Sequence, residues 1–348
     1  MIKIKDIKIG LEHKPFIIAE MSGNHNHSLK RALKIVKKAS EAGVQAIKLQ
    51  TYTADTITLN VKKAEFLIND ENSLWNGKNL YDLYDLAHTP WDWHGEIMSL
   101  ANKLGLICFS SPFDETAVDF LEDLNVPAYK IASFESSHLP LIRKVVSTGK
   151  PLILSTGMSS LNDLGETVNT IKELGCENLI LLKCTSNYPA DPKNSNILTI
   201  PHMRDLFNCE VGLSDHTMGI GASIASVAHG ASVIEKHFTL DRSDGGVDSQ
   251  FSLEPREMHK LVFETEQAWK SLGKVYYGPS TDEIPSLIFK RSIYVSKEIK
   301  KGEEFTKSNI RIVRPGLGLH PRYFEIVIGR KAKVDISSGT ALSWEIVG

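Results

Sequence analysis

The chain has 348 residues, of which 42% are hydrophobic and 24% charged, and its formal net charge is −2 with all 12 histidines neutral. This composition is typical of a globular protein, and the length allows one large domain with a smaller one. No global basic field favours nucleic acid or an anionic membrane as a partner, and no apolar run predicts a signal peptide or a membrane span.

The four cysteines are far apart in the chain and form no CxxC pair: Cys108, Cys176, Cys184 and Cys209. Cysteines in this arrangement favour neither a disulfide framework nor a zinc knuckle. We therefore interpret each as a small buried hydrophobic residue, and we expect a reducing compartment, the cytoplasm.

Eight short β-rich apolar runs alternate with amphipathic helical stretches. They are FIIAEM (16–21), AIKLQTY (46–52), LICFSSP (106–112), AYKIAS (128–133), PLILSTG (151–157), LILLKCTS (179–186), EVGLSDH (210–216) and VIEKHFTL (233–240). This order predicts an α/β fold, a (β/α)₈ TIM barrel. The alternative, a doubly wound sheet, requires a GxGxxG fingerprint after its first strand, and AEMSGNHNHSL has none.

Two segments interrupt this repeat. Residues 53–90 form a long insertion between the second and third strands and contain most of SLWNGKNLYDLYDLAHTPWDWH. We expect a lid or a specificity wall here, although its aromatic residues also suit packing onto the barrel. From about Gly273 the pattern changes to short strands with frequent turns. We predict a barrel domain over residues 1–272, a linker over 273–289 and a small β-rich domain over 290–348.

Polar side chains recur at the carboxyl end of nearly every predicted strand. These ends meet on one face of a barrel, so the pattern predicts a functional site there. In chain order the residues are Glu20, Asn24 and His25; Lys48 and Gln50; Ser111; Lys130, Ser133 and Glu135; Ser155 and Thr156; Lys183, Ser186, Asn187 and Tyr188; Ser214, Asp215 and His216; Glu235, Lys236 and His237.

Two of these residues, Lys48 and Lys130, occupy equivalent positions on different strands. Lysine supplies a compact positive charge to phosphate or carboxylate, and serine hydroxyls complete the shell around an anion. Although a lone lysine also suits a solvated position, the pair favours a site for a phosphorylated ligand.

The run VIEKHFTL places three ionisable side chains, Glu235, Lys236 and His237, in a strand that otherwise reads as buried. His216 ends the preceding strand, and neighbouring strands lie about 4.8 Å apart. The two histidines can therefore share one divalent ion, with Glu20, water or substrate completing its coordination. Such an open site suits a Lewis acid better than a structural metal.

Several motifs in order resemble those of the sialic-acid-type nonulosonate synthases: AEMSGNHNHSL, IKLQTYTADTITL, YKIASFE, LSTGM, CTSNYP, GLSDHT and EKHFTLD. The C-terminal VRPGLGLHP resembles the antifreeze-like (SAF, β-clip) domain of these enzymes. Within the family, the insertion resembles that of the pseudaminic acid synthase branch, and Lys183 stands where N-acetylneuraminate synthases typically have histidine.

The resemblance implies a metal-dependent condensation of phosphoenolpyruvate with an N-acetylated amino sugar, in a domain-swapped homodimer. The expected metal is Mn²⁺, with Mg²⁺ or Co²⁺ as alternatives. For the pseudaminic branch the acceptor is 2,4-diacetamido-2,4,6-trideoxy-L-altrose, and the products are pseudaminic acid and phosphate. Alternatives are an N-acetylneuraminate or legionaminate synthase that uses a manno-configured sugar, a pyruvate-dependent metal aldolase, and a non-enzymatic sugar-binding protein.

The resemblance also implies a role for each matching residue. Phosphoenolpyruvate would be held by Lys48, Lys130, Ser133, Ser155 and Ser214, and the metal by His216 and His237. The sugar and its reacting carbons would face Gln50, Glu135, Tyr188 and Asp248, while Glu20 or Glu135 would take a proton from water. Arg314 would reach into the partner's barrel. Ser186 stands where some members have asparagine; it completes the predicted substrate-binding set together with Ser111, Lys183 and Asn187.

Overall fold

A computed structural model describes residues 2–71 and 73–348; Asn72, which lies within the predicted insertion, falls outside the described residues. The chain divides into two compact units, residues 1–273 and 274–348. Part of the predicted linker forms a 3₁₀-helix, Thr281–Phe289. The domain boundaries proposed from the sequence stay predictions.

The first unit is a closed barrel of eight parallel strands, as the sequence predicted. A short antiparallel hairpin, β1 (Ile2–Ile4) and β2 (Ile7–Ile9), precedes it. The barrel strands are β3 (Phe16–Glu20), β4 (Ala46–Thr51), β5 (Ile107–Pro112), β6 (Tyr129–Ile131), β7 (Leu152–Ser155), β8 (Leu179–Cys184), β9 (Glu210–Asp215) and β10 (Val233–His237). β10 pairs with β3 and so closes the barrel.

Helices follow or connect the strands in the first unit. They are α1 (Leu29–Ala42), α2 (Ala54–Ile57), α3 (Leu80–Ala87), α4 (His94–Lys103), α5 (Glu115–Asp123), α6 (Leu139–Val146), α7 (Leu161–Glu173), α8 (Thr199–Phe207), α9 (Gly221–Ala228) and α10 (Pro255–Leu272). Ser160 caps α7 in a capping box with Asp163, as the SSLND sequence suggests. In the described chain, none of the helices has the length and apolarity needed to cross a membrane.

The barrel has two apolar layers because successive strand residues face opposite sides. The interior is filled by Phe16, Ile18, Ala46, Ile107, Phe109, Ala128, Ile153, Ile180, Leu182 and Val233, and the hairpin's isoleucines pack against this cluster. The residues between these positions pack outward against the helices. The inward positions that follow the apolar layer towards the carboxyl ends are therefore the ones available for a site.

The inward position of β9 at Gly212 allows no side chain. A Cβ atom there would lie 2.2 Å from the Val233 carbonyl oxygen and 2.8 Å from a methyl group of Leu182. The glycine lets β9 and β10 keep their pairing where the interior is most crowded.

The second unit is small and rich in β structure. β11 (Ser292–Val295) pairs antiparallel with β12 (Ile310–Val313), and a short helix, α11 (Phe324–Val327), follows. Isolated bridges such as Tyr294–Ala341 and Ile299–Ile336 tie the turns together. Its own core includes Ile293, Phe305, Ile310, Val327 and Leu342. The predicted β-rich C-terminal fold is confirmed.

Candidate active site

A buried lysine joins two carboxylates inside the barrel. The Lys48 ammonium lies 3.0 Å from Glu20 Oε2 and 3.1 Å from Glu235 Oε1. The Ser111 hydroxyl lies 3.4 Å from the same ammonium, and Ser214 donates a hydrogen bond of 3.3 Å to Glu235 Oε1. These five residues are 1–4% exposed, so the charges of Lys48, Glu20 and Glu235 are screened very little by water.

The electrostatics of this group leave a positively charged interior. Burial raises the pKa of Glu20 to about 7, although Lys48 opposes the shift. Burial also acts to raise the pKa of Glu235, but Lys130 and Lys48 together hold it below its usual value. Burial lowers the pKa of Lys130 to about 8. Near neutral pH two ammonium groups therefore face one full and one partial negative charge, an arrangement that favours an anionic ligand.

Lys130 lies beside a cluster of hydroxyl groups. Its ammonium donates to Ser155 Oγ at 2.7 Å, and the Gly157 amide donates to Ser133 Oγ at 3.1 Å. A Cβ atom on Gly157 would lie 2.2 Å from Ser186 Oγ and 2.8 Å from Ser133 Oγ. The glycine thus lets the hydroxyls of three loops and the lysine converge, which forms a cradle suited to the oxygen atoms of a phosphate.

His216 and His237 lie side by side at the ends of β9 and β10. Their ring centroids are 5.3 Å apart, and both side chains are buried. His216 Nδ1 lies 3.0 Å from the Thr185 carbonyl oxygen; a hydrogen bond donated there leaves Nε2 free to coordinate. Burial and then His216 lower the pKa of His237 well below its usual value, so its imidazole is neutral.

The donor set around the histidines fits an open metal site. His237 Nδ1, Glu20 Oε1 and Glu235 Oε2 are buried and have no hydrogen-bond partner, a costly state unless a ligand completes them. Over residues 2–71 and 73–348, no group of three or more His, Cys, Asp or Glu side chains forms a complete metal site. A metal held by the two histidines would therefore need further ligands from water or substrate.

The ionisable residues of VIEKHFTL divide between the two faces of β10. Glu235 and His237 face inward, whereas Lys236 faces the helices and lies 2.9 Å from Asp215 Oδ2. Lys236 also donates to the Thr217 carbonyl oxygen at 2.6 Å, and Ser223 donates to Asp215 at 2.6 Å. The buried pair joins the residues that immediately precede His216 and His237, and so fixes the ends of both strands.

The sequence matches the models of two known protein families. The NeuB family model matches residues 35–277 and the SAF domain model matches residues 290–347. The first match spans more than half of the chain. The chain belongs to the NeuB family.

Individual relatives of this NeuB-family chain cover nearly its full length. It is 44% identical over 331 residues to a pseudaminic acid synthase of Campylobacter jejuni subsp. jejuni serotype O:2, covering 95% of this chain and 96% of the relative. A pseudaminic acid synthase of Helicobacter pylori is 41% identical, covering 94% and 96%. A crystal structure of N-acetylneuraminic acid synthetase from Leptospira borgpetersenii serovar Hardjo-bovis, in complex with citrate, has a TM-score of 0.73 and 30% identity, covering 82% of this chain and 94% of that one. The resemblance drawn from the motifs is confirmed.

Most residues predicted for the site of this NeuB-family chain converge on the barrel mouth. Tyr188 lies over the histidines, with ring centroids 4.5 Å from His216 and 6.5 Å from His237. Asp248 accepts a hydrogen bond from Ser22 and has an oxygen 3.9 Å from His237 Nδ1. Gln50 occupies the inward position after Lys48 and is the register partner of Ser111.

Glu135 follows β6 in a short 3₁₀-helix, Ser133–Glu135. Burial raises its pKa to about 7, and its Oε2 is buried without a hydrogen-bond partner. Its carboxylate can therefore exchange a proton near neutral pH, as can that of Glu20.

Two predicted substrate-binding residues of the first unit, Lys183 and Asn187, are placed away from this group. Inward positions on β8 alternate as Ile180, Leu182 and Cys184, so Lys183 faces outward, where it donates to the Cys184 carbonyl oxygen at 2.9 Å. Asn187 is exposed. Arg314 belongs to the second unit, where it is exposed directly after β12. The prediction for Lys183 overlooked that successive side chains along a strand face alternately into the barrel and out of it.

Two residues beside the site were given no role there. Glu235 was noticed on its strand only, and Cys184 is buried, as predicted, but also lies next to His216. Cys184 Sγ lies 3.8 Å from His216 Nδ1 and 3.7 Å from Ser186 Oγ. Burial acts to raise the pKa of this thiol, but His216 and nearby hydroxyls lower it to about 6. Counting inward positions from the apolar layer would have found both residues.

The buried ion pair between Lys236 and Asp215 leads to a prediction about the stability of this NeuB-family protein. Lys236→Met leaves Asp215 charged and buried without its partner, and we expect the barrel's free energy of unfolding to fall by about 3–5 kcal/mol. Urea denaturation with a chelator present measures this without any contribution from bound metal. The double variant Lys236→Met/Asp215→Asn should recover part of the loss.

The pair Lys144–Asp119, at 2.6 Å, supplies the matched control, because Lys144 is half-buried and Asp119 is exposed. Lys144→Met should leave the urea midpoint unchanged, because solvent screens that pair. Equal losses from Lys236→Met and Lys144→Met would contradict a special role for the buried pair.

Proposed function

We propose that the chain condenses phosphoenolpyruvate with 2,4-diacetamido-2,4,6-trideoxy-L-altrose to give pseudaminic acid and inorganic phosphate. The observation that carries the reaction class is one barrel mouth that joins a cationic hydroxyl cradle to a pair of buried, adjacent histidines. The choice of sugar rests on the similarity to the pseudaminic acid synthases described above.

In the proposed reaction, the phosphate and carboxylate of phosphoenolpyruvate lie against Lys48, Lys130 and the hydroxyls around Gly157. The methylene carbon of phosphoenolpyruvate uses the electron pair of its C=C double bond to form a bond to the aldehyde carbon of the open-chain sugar, and the aldehyde oxygen takes up a proton to become a hydroxyl group. Water then adds to the former enol carbon, and the resulting tetrahedral intermediate releases phosphate. Glu20 or Glu135 takes the proton from that water, since both carboxyl groups have a pKa of about 7.

We also propose that a divalent cation, Mn²⁺ with Mg²⁺ or Co²⁺ as alternatives, is held by His216 and His237. The chemistry that such an ion supplies is Lewis acidity towards a carbonyl oxygen. The unpartnered, buried Nδ1 of His237 supports this assignment.

The four cysteines are free, which supports a reducing compartment, and we propose the cytoplasm.

Removal of the metal tests the histidine site. A chelator should abolish phosphate release, and Mn²⁺, Co²⁺ or Mg²⁺ should restore it to different extents. His237→Ala should lose metal affinity in titration calorimetry while its far-UV circular dichroism is unchanged, because β10 is held by its backbone pairing with β3 and β9. The exposed His202 provides a control, since His202→Ala should bind metal normally. Full activity in a metal-free sample would overturn the assignment.

A homodimer in which Arg314 works in trans is part of the proposal. The exposed Arg314 and the family resemblance support it. Mixing inactive Arg314→Ala with inactive His237→Ala should restore part of the activity through hybrid dimers, because one barrel then has an intact rim and receives an intact arginine. A mixture of His237→Ala with Lys130→Ala should stay inactive, since both defects lie in barrels. No recovery despite demonstrated subunit exchange would contradict the swap.

The acceptor is tested by phosphate release from phosphoenolpyruvate with three sugars: the altrose-series diacetamido sugar, its mannose-series isomer and N-acetylmannosamine. We expect the highest kcat/KM with the first, by about 10–200-fold over N-acetylmannosamine, the range that one apolar group gives. Best turnover with the mannose-series isomer or with N-acetylmannosamine would indicate a legionaminate or neuraminate synthase instead. Turnover of pyruvate without phosphate release would indicate an aldolase. No turnover with any sugar would favour a binding protein.

A further inference from the structure

The insertion between β4 and α4 reaches the mouth of the barrel through one aromatic residue. The indole N–H of Trp75 donates a hydrogen bond of 2.9 Å to the Val247 carbonyl oxygen. The Trp75 ring also lies 5.8 Å from the ring of Tyr188, measured between centroids. One side chain thus joins the insertion to the loop after β10 and to the loop after β8.

Both of these contacts lead directly to the proposed site. Tyr188 packs 4.5 Å from His216 and 5.3 Å from Phe251, and Phe251 packs 4.8 Å from His237. Val247 immediately precedes Asp248, which accepts a hydrogen bond from Ser22 and lies beside His237. Trp75 therefore extends an aromatic wall outward from the two histidines.

A cavity of about 480 Å³ lies beside this wall. Its lining combines the apolar side chains of Leu74, Trp75 and Val247 with the polar side chains of Asn26, His27 and Lys78. Gly23, which also lines the cavity, packs closely against the loop after β10 and the end of α3: a Cβ atom on Gly23 would lie 2.4 Å from a Val247 methyl group and 3.1 Å from the Ala87 carbonyl oxygen. Such a mixed lining offers apolar surface to a methyl group and hydrogen-bonding groups to an acetamido group.

The other aromatic residues of the insertion have different neighbours. Trp91 stacks on Phe120 at 4.7 Å, and Trp93 packs edge-on against His25 at 5.6 Å. Tyr84 packs against Tyr52, which is buried, and Tyr81 donates to Asp55 near the surface. These contacts hold the insertion on the barrel, which was the alternative interpretation of its aromatic composition. Trp75 differs from them in its contact with Tyr188.

We propose that Trp75 is a specificity-determining residue that forms the outer wall of the acceptor site. It selects open-chain amino sugars that carry a second acetamido group and a terminal methyl group. When the aldehyde end lies at the histidines, the far end of the sugar extends along Tyr188 to the indole face and the adjoining cavity. An aromatic face packs well on such apolar groups and leaves smaller acceptors without an equivalent contact. This inference rests on the proposed function.

The test compares Trp75→Ala and Trp75→Phe with the wild-type chain, using the altrose-series diacetamido sugar and N-acetylmannosamine as acceptors. Trp75→Ala should lower kcat/KM for the diacetamido sugar by about 10–100-fold and change it for N-acetylmannosamine by less than about threefold. The KM for phosphoenolpyruvate should be unchanged, because Lys48, Lys130 and their hydroxyls are not altered. Trp75→Phe should give an intermediate loss, since it keeps an aromatic face but removes the hydrogen bond to Val247.

Trp91→Phe is the matched control, because Trp91 lies in the same insertion and its indole also donates to a backbone oxygen, that of Tyr52, at 3.2 Å. It should leave the ratio of the two kcat/KM values unchanged. Equal losses for both acceptors in the Trp75 variants, or no loss with either, would overturn the specificity role. Failure of the proposed function is distinct, because the wild-type chain itself would then prefer another acceptor. Should Trp75→Ala fold poorly, the selectivity ratio of Trp75→Phe decides the question.

Discussion

The site depends on the period-two alternation of side chains in a closed parallel barrel. Each strand can place a residue inside the barrel only at every second position, and the first inward positions are filled by apolar residues such as Ile18, Phe109 and Val233. The next inward positions, at the carboxyl ends, carry Glu20, Lys48 and Glu235. The same alternation sends Lys236 and Asp215 to the outer face, where they pair with each other. One geometric constraint thus separates the reactive groups from the groups that hold them.

Burying several charges inside a barrel is costly, and the structure reduces that cost in two ways. Lys48 is shared between two carboxylates, so that neither acid is isolated in a medium of low polarity. Burial also shifts the pKa values of Glu20 and Lys130 towards neutrality, to about 7 and about 8. What remains unpaired is a small excess of positive charge next to unpartnered acceptor atoms. A site with these features is completed by an anion and a cation more readily than by water.

The sequence allowed the fold to be predicted well, because all eight strands are short apolar runs separated by helices with recognisable caps such as Ser160. The polar strand ends also indicated where the site lies. The errors arose because all residues at a strand end were assigned to the site together, without asking which of them face into the barrel and which face the helices. Lys183 was placed in the site although Leu182 and Cys184 take the inward positions, and the contact of the buried Cys184 with His216 was not foreseen. Periodicity also cannot predict long-range contacts such as that between Trp75 and Val247, because it carries no information on how an insertion folds back.

The strands carry the proposed reacting groups, and the insertion carries Trp75. Selectivity for the acceptor sugar can therefore vary while the chemistry of the barrel stays the same. Residues on strands are fixed by pairing on both sides, as Glu235 is by its register with Ile18 and Ser214, so a change there disturbs the charge balance of the whole interior. Trp75 is held by one hydrogen bond and a ring contact at the outer end of an aromatic wall. A substitution at such a position alters the space offered to the far end of a ligand without moving Lys48 or the histidines. Insertions that contact a barrel mouth through few side chains are therefore the part of this fold on which acceptor choice can change independently of the reaction.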